Sequence, residues 1–453
     1  MPELIEKLDF QRIHFANRVY TPREVQSTVD DLAAHLRAKR ISDSPFAFVF
    51  AYNHIKTVIA CFAVQKAGMI LVPVDPDIRP LELADLLTDS EPSVLIRYDP
   101  KTLEFDYRRD LEFRRPASEP WRGEDLSRIC MMVYTAAEDG WYKGALLTRE
   151  GLLSVAHAIV RGDHVNPRTV SCMLAPLHHL YGFQAGLLVP LLGQGTVVLQ
   201  EIKELSRLRS SVTDMAEYGV TNLYSVPMVF YLISRVPMVR NWLGTVVGAV
   251  SGGYKLMEPV FRTFRDKTGL EIHEGYGLTE ASPVCTWHIP EDRVRIHSVG
   301  RAFGDCEVCI RDRKGNRMPP GRSGEVCARG VNVMQGYFRH PEATSRAIRD
   351  GWLYTGDLGY MDEDGYVYLT GLAKRMLNVG GKNVYPREVE RLALLHGNVQ
   401  NATVFGKEST LGGHEVDAKF VLRDGANGSR EAFSRWFQEN LSRYKLPRRI
   451  EFV

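Results

Sequence analysis

In two places this sequence sets an acid close to a threonine and a glycine. Tyr276-Gly277-Leu278-Thr279-Glu280 offers one hydroxyl and one carboxylate, and Tyr354-Thr355-Gly356-Asp357-Leu358-Gly359 offers a second such pair. An ionised carboxylate accepts two hydrogen bonds at once, and its oxygens suit a hard cation such as Mg²⁺. Each segment also has a plainer reading. Asp357 can be a turn residue after glycine, and Thr279 with Glu280 can cap a helix starting at Ala281. A third stretch, Thr135-Ala136-Ala137-Glu138-Asp139-Gly140-Trp141-Tyr142-Lys143-Gly144, follows a strand-like run and precedes a helical one from Thr148. Glycines in such a loop let backbone N–H groups approach an anion. Two further segments complete the set: Gly324-Glu325-Val326-Cys327-Ala328-Arg329-Gly330 running on to Tyr337, and Gly380-Gly381-Lys382-Asn383-Val384-Tyr385-Pro386-Arg387-Glu388-Val389-Glu390.

In this order and spacing the segments resemble those of the adenylate-forming superfamily: acyl-CoA synthetases, carrier-protein ligases, peptide-synthetase adenylation domains and luciferases. The resemblance runs from about Tyr20 to Val453. It implies an α/β fold with a large N-terminal domain of parallel-rich sheets over residues 1–371, including a β-rich subdomain from about 298 to 371. A small, mobile α+β domain follows over 372–453. The implied activity is ATP-dependent activation of a carboxylic acid as an acyl-adenylate, with transfer to the thiol of CoA or of a carrier protein's phosphopantetheine. The alternative is an impaired member that binds an acyl group or acyl carrier protein without completing adenylation.

The same likeness assigns roles. Asp357 takes the ribose hydroxyls of ATP and Tyr276 stacks on adenine, with Gly277 in the nucleotide-binding set. Thr279 bonds a phosphate oxygen, and Glu280 holds Mg²⁺. Gly252 and Gly253, in Ser251-Gly252-Gly253, leave room for adenine, while Thr135 and Lys143 belong to the phosphate loop. Pro176-Leu177-His178-His179-Leu180-Tyr181-Gly182 resembles the segment whose histidine borders the acyl pocket, which makes His179 the matching residue. The plainer reading has His178 and His179 capping a strand end. Tyr224-Ser225-Val226-Pro227-Met228 supplies another wall, through Ser225 and Met228. ATP, Mg²⁺ and CoA or phosphopantetheine are thereby implied, with a small carboxylic acid and an acyl carrier protein as partners.

Three departures fall on ATP handling. Where the family's phosphate loop carries hydroxyls, this one carries Glu138 and Asp139, each costing about 1–4 kcal/mol facing a triphosphate. In the family pattern Gly-Arg-x-Lys-Asp, this chain reads Gly371-Leu372-Ala373-Lys374-Arg375, with leucine for the ribose-binding arginine and a reversed charge at the hinge, Lys374 and Arg375. The family's lysine-bearing loop would follow Val453, so the small domain is expected to be truncated before it. Loss of such a cation costs about 10²–10³ in rate.

The elements that must position these residues alternate between short apolar runs and amphipathic stretches. Strands are expected at Phe46–Phe50, Ile70–Val74, Ser93–Ile96, Ile129–Tyr134, Val197–Leu199, Asn222–Ser225, Val246–Val250 and Leu270–His273. Helices are expected from His54 to Lys66, Pro80 to Leu87, Pro386 to Leu395 and Ser429 to Arg443. This is the pattern of α/β units around a largely parallel sheet. Arg114 to Pro120 reads as a linker or surface loop.

At 453 residues the chain is too long for one core. Its 57 Lys and Arg nearly balance its 55 Asp and Glu, which gives no electrostatic reason to propose nucleic acid or anionic lipid. The apolar stretch Leu180 to Leu199 is interrupted by Gln184, Pro190 and Gly193-Gln194-Gly195, so a buried helix, a turn and a strand are expected, not a membrane span. Cys306 and Cys309 have the gap of a thiol or zinc pair, but with no second pair at ligand spacing they read as strand residues. Scattered thiols and an N-terminus without a basic head or apolar core point to the cytoplasm. No Gly-x-Ser-x-Gly elbow marks a hydrolase, and no Gly-x-Gly-x-x-Gly after a strand marks a dinucleotide enzyme.

Overall fold

The computed structural model describes residues 10–40, 42–114, 125–136, 140–200, 208–292, 294–372, 376–380, 382–409, 413–423 and 429–452. The runs Phe46–Phe50 and Ile70–Val74 are buried at every residue, as strands covered on both faces must be. They pair in parallel at the centre of a seven-stranded sheet. Its order is Gly336–Tyr337, Tyr142–Thr148, Ile129–Ala136, Ile70–Val74, Phe46–Phe50, Val94–Ile96 and Leu111–Phe113. Parallel neighbours need crossovers. Helix Ile55–Lys66, with His54 as its N-cap, and helix Pro80–Ser90 supply them.

A fourteen-stranded sheet forms the second layer. Strands Arg12–Phe15, Thr196–Leu199, Val170–Met173, Asn222–Ser225, Gly248–Ser251 and His273–Tyr276 run parallel. The sheet then turns antiparallel through Thr286–Trp287, Ser298–Ala302, Tyr366–Leu372, Trp352–Met361, Gly324–Arg329 and Glu307–Arg311, which is the β-rich part of the chain. The strand expected at Val246–Val250 starts later and runs Gly248–Ser251, and the one expected at Leu270–His273 is displaced further. It begins at His273 and ends at Tyr276, because the ladder pairs Val250 with His273 and Ser251 with Glu274. Tyr276 therefore belongs to the strand and does not follow it. Cys306 packs with Val308 in one core cluster and Cys309 with Cys327 in another, so the two thiols face opposite ways.

Leu180 to Leu199 folds as two short helical segments around a wide turn, Gln184–Leu188, and then the strand Thr196–Leu199. Among the described residues no helix is long and apolar enough to cross a membrane. Of the expected linker, residues 115–120 lie outside the described part.

The C-terminal residues form a separate unit. The hairpin Leu377–Val379 and Lys382–Val384 leads to helix Pro386–Ala393, the three-stranded sheet Val399–Glu408, His414–Leu422 and Arg449–Phe452, and helix Arg430–Asn440. Its own core includes Val389, Leu392, Val404, Phe420, Phe433, Phe437 and Leu441.

A buried acid ties helix Arg149–Gly162 to two strands of the fourteen-stranded sheet. Asp163, at the end of helix Arg149–Gly162, accepts hydrogen bonds from Trp287 Nε1 at 2.8 Å and from the Tyr224 hydroxyl at 2.9 Å. Burial outweighs both bonds and pushes its carboxyl up to about 6. The neutral form is thus favoured by folding, so this stabilisation is whole below about pH 4 and is lost as pH rises through about 6, on the order of 3 kcal/mol in all. Asp163→Asn keeps a neutral side chain that can accept from Trp287 and donate to Tyr224. It should unfold at higher urea than the parent at pH 8 and at similar urea at pH 4. A parallel shift at both pH values would refute the account.

Candidate nucleotide and acid site

Strand His273–Tyr276 carries the first functional segment to the edge of the parallel region. Beyond it, Thr279–Ala281 form a single tight turn rather than the first turn of a helix, so the capping alternative does not apply. Ser282 returns the chain so closely that Gly277 has no room for a side chain: a Cβ there would lie 1.7 Å from the Pro283 oxygen. Thr279 is half-buried and Glu280 is buried.

The other motifs converge on this turn. The Glu280 backbone oxygen accepts from Met334 N at 2.8 Å, and its Oε1 accepts from the Tyr337 hydroxyl at 2.7 Å. Burial, then the Glu280 charge, push the Tyr337 phenol well above its ordinary range, so it stays a donor. Tyr337 in turn pairs with Ala145 of strand Tyr142–Thr148, next to Lys143. Lys143 is buried and opposite Thr135 in the hairpin that leads into the glycine loop. Glu138 and Asp139 lie outside the described residues, as do Lys374 and Arg375.

Asp357 is half-buried on strand Trp352–Met361, where its backbone pairs with Leu372. The Tyr276 hydroxyl donates to its Oδ2 at 2.6 Å, and its own N–H donates to Thr355 Oγ1 at 3.1 Å. Gly356 N donates to Glu325 Oε1 at 2.8 Å, which brings in the Gly324–Gly330 segment. The Tyr276 ring is 9% exposed among Ala281, Cys285 and Val299, and burial, then Asp357, hold its phenol far above 10. The loop after strand Gly248–Ser251 is half open. A Cβ on Gly252 would meet the Tyr181 ring at 3.1 Å, whereas one on Gly253 would meet no atom nearer than 3.5 Å. Gly253 has φ +85°, a conformation that favours glycine.

The expected acid-pocket residues occupy two places. His179 lies just before helix Leu180–Phe183, its ring 4.5 Å from that of His178. Its Nε2 is buried and has no hydrogen-bond partner among the described residues. Burial, then the His178 and Lys382 charges, hold it well below 6.5, so it is neutral at pH 7. Ser225 ends its strand opposite Ser251, and both hydroxyls are buried without a partner among the described residues. Registered neighbours share a sheet face, so these two hydroxyls form one polar spot. Met228, half-buried, donates its N–H to the Tyr254 hydroxyl at 2.6 Å. No hydrogen bond among the described residues links His179 to Ser225 or Met228.

Asp75 was not legible as a site residue. It directly follows strand Ile70–Val74, and its Oδ2 lies 2.9 Å from Lys382 Nζ and 3.3 Å from His178 Nε2. Burial raises its carboxyl, but the contacts to His178 and to Lys382 together outweigh it and hold the group well below the usual carboxylate range. Asp75 and Lys382 also border a cleft of about 820 Å³ between the two parts of the chain, lined further by His414, Arg443, Tyr444 and Arg448. Lys382, Glu325 and Tyr337 all sit inside segments singled out in the sequence, but their partners could not be read there.

Among the described residues no three of His, Cys, Asp and Glu are grouped to hold a metal ion. Mg²⁺ is commonly held by one or two carboxylates together with substrate phosphates. Glu280, with one oxygen fixed by Tyr337, fits that donor set.

A family model described as AMP-binding enzyme matches residues 6–338, and one described as AMP-binding enzyme C-terminal domain matches residues 388–453. The chain belongs to the adenylate-forming superfamily. A feruloyl-CoA synthase from Amycolatopsis sp is 30% identical over 449 residues, spanning 96% of this chain and 90% of that protein. A long-chain-fatty-acid–CoA ligase from Bacillus subtilis (strain 168) is 27% identical, spanning 98% of this chain and 88% of its own length. Among solved structures, a malonyl-CoA ligase bound to methylmalonyl-CoA and AMP is 25% identical with a TM-score of 0.83, covering 99% of this chain and 96% of its own. A variant of an amide bond synthetase from Marinactinospora thermotolerans is 26% identical with a TM-score of 0.86, covering 100% of this chain and 95% of its own.

Proposed function

We propose that this adenylate-forming protein is an AMP-forming acid–thiol ligase, activating a small carboxylic acid with ATP and passing the acyl group to CoA. The observation that carries the reading is the convergence of Asp357, Tyr276, Thr279 and Glu280 around the end of strand His273–Tyr276, in a chain that matches CoA ligases over 96–98% of its length. In the first step a carboxylate oxygen attacks the α-phosphorus, the bond to the β-phosphate oxygen breaks, and pyrophosphate leaves. In the second, the thiolate sulfur attacks the acyl carbon, the carbon–oxygen bond to phosphate breaks, and AMP leaves.

Each residue has a task in that sequence. Asp357, its plane fixed by Tyr276, accepts from the ribose hydroxyls. Thr279 donates to a phosphate oxygen, and Thr135 and Lys143 face the pyrophosphate end. Glu280 would hold Mg²⁺, which would supply charge neutralisation to the phosphates. Gly252 and Gly253 keep the adenine side of the loop free of side chains of their own, with Tyr181 as the neighbouring wall. Neutral His179 and the Ser225 and Ser251 hydroxyls offer hydrogen bonds to the acid. Residues 1–371 serve as the large domain and 372–453 as the small one, with Lys374 and Arg375 at the hinge.

A second reading, a member that binds an acyl group or acyl carrier protein without adenylating, is favoured by Glu138 and Asp139 in the phosphate loop. One experiment separates the two. With ATP, Mg²⁺, hydroxylamine and a panel of aliphatic, aryl and hydroxy acids, the ligase should release pyrophosphate in an acid-dependent way. Silence across the panel, with AMP binding undetectable by calorimetry, would overturn the ligase and leave the binding protein.

A further inference from the structure

The loop that leaves room for adenine is tied down at three points. Gly252 N donates to the Ser225 oxygen at 3.1 Å, and the Tyr254 hydroxyl accepts from Met228 N at 2.6 Å. Those two partners lie at the end of strand Asn222–Ser225 and just beyond it. The third tie runs the other way. Leu256 N donates to Glu274 Oε1 at 3.1 Å, and Glu274 sits on strand His273–Tyr276, two residues before Tyr276. Residues two apart on a strand share a face, so the Glu274 carboxyl and the Tyr276 ring leave it on the same side.

Glu274 is also held from behind. Its backbone oxygen accepts from His288 N at 3.0 Å and from His288 Nδ1 at 3.2 Å. A carbonyl only accepts, so Nδ1 carries the proton. Burial holds the His288 ring down to about 4, which leaves it neutral. With the backbone fixed there, the length of the Glu274 side chain sets how far Leu256 stands from the strand.

The acid is not placed to bind a ligand. It is buried, and the cavity beside it measures about 10 Å³, lined by Leu256, Phe261, Ile272, His288 and Ser298. That is room for one water at most. Burial outweighs both the Leu256 bond and the Lys255 charge and pushes the carboxyl up to about 8. At pH 7 it is therefore a neutral group joining two elements.

We propose that Glu274 is a positioning residue for the nucleotide: it clasps loop 252–256 to the strand that carries Tyr276 and so fixes the width of the slot that adenine enters. It touches neither ATP nor the acid and acts through Leu256 N. The assignment rests on the ligase reading given above, which sets adenine between Tyr276 and the two glycines.

Calorimetric titration with AMP tests the clasp. Glu274→Ala should bind AMP about tenfold more weakly than the parent at pH 7, the scale of one lost buried hydrogen bond. In turnover the same variant should show a raised KM for ATP, with kcat and the KM for the acid unchanged, because only uniform binding is lost. Glu274→Gln keeps an acceptor for Leu256 N and should match the parent at pH 7.

The parent and Glu274→Gln should part as pH rises. Ionisation of Glu274 above about 8 puts a charge into a slot that binding closes, so the parent should lose affinity between pH 7 and about pH 9.5. Glu274→Gln has no proton to lose and should keep its affinity. The AMP phosphate has titrated by pH 7, and burial holds His273 and His288 below 6.5, so neither supplies the trend. Lys255, Arg295 and His297 are the other charged or titratable groups around Glu274, and both proteins share them.

Glu274→Ala that binds AMP as tightly as the parent, or Glu274→Gln that weakens with pH as the parent does, would overturn the clasp. If Glu274→Ala does not fold, the two pH profiles still decide. If the parent itself binds no AMP, the ligase reading fails. Amide hydrogen exchange at Leu256 then separates the questions: faster exchange in Glu274→Ala than in Glu274→Gln keeps the clasp, and equal exchange removes it.

Discussion

Asp357→Ala should abolish measurable adenylation. Two hydrogen bonds from ribose hydroxyls to an ionised acceptor contribute about 1.5–3 kcal/mol each, so losing both weakens nucleotide binding on the order of 10²–10⁴. The substitution has a second effect that must be kept apart from the first. The Tyr276 hydroxyl, in a ring 9% exposed, loses the oxygen it bonds at 2.6 Å. An unpaired buried donor costs about 1–3 kcal/mol of stability. The double variant Tyr276→Phe, Asp357→Ala removes that donor as well, so it should regain most of the lost stability and none of the binding. Calorimetric titration with AMP, alongside urea unfolding, reads both quantities. Asp357→Ala that binds AMP as tightly as the parent would remove Asp357 from the nucleotide site.

The sequence is informative where a local pattern has one structural solution. Phe46–Phe50, Ile70–Val74 and Asn222–Ser225 form strands within the expected bounds, because each is a short apolar run between turn signals and is buried throughout. It is misleading where a partner far along the chain decides. Leu270–His273 has the apolar look of a strand, but the strand is His273–Tyr276, since register is set by Val250 and Ser251 on the neighbouring strand. The last helix ends at Asn440 rather than Arg443. Ser442 leaves the helical path and donates both its N–H and its hydroxyl to Glu82, 360 residues earlier.

The site divides the same way. Glycine, threonine and acid at fixed spacing mark the turn at Gly277 to Glu280 and the strand at Asp357, because backbone geometry confines such residues to few places. Asp75 and Glu82, which pair with Lys382 and Lys445 of the C-terminal unit, carry no such mark. On paper, a glutamate in Pro80-Leu81-Glu82-Leu83 is an ordinary first-turn acid near the positive end of a helix. Its complete burial follows from a second unit that docks there, and nothing within ten residues of it could say so.

Gly277 shows how tightly the legible part is built, and Gly277→Ala should be the most damaging single methyl group that can be added to this site. The Cβ would stand 1.7 Å from the Pro283 oxygen, 2.6 Å from its carbonyl carbon and 2.8 Å from the Val284 Cα. All three are backbone atoms, so no side-chain rotation relieves the overlap. Overpacking ordinarily costs 1–3 kcal/mol, and here about 3 kcal/mol or more is expected. The turn that must shift carries Thr279 and Glu280, and a displacement of about 1 Å is enough to slow a reaction on the order of 10²-fold. Gly253→Ala is the control. Its Cβ meets nothing nearer than Val226 Cγ1 at 3.5 Å, so only its φ of +85° opposes the change, at about 1–2 kcal/mol. The two variants should therefore separate in urea midpoint, with Gly277→Ala lower, and separate further in pyrophosphate release. Equal midpoints would mean that the chain from Ser282 to Val284 can yield, and that the close return over Gly277 does not fix Thr279 and Glu280 in place.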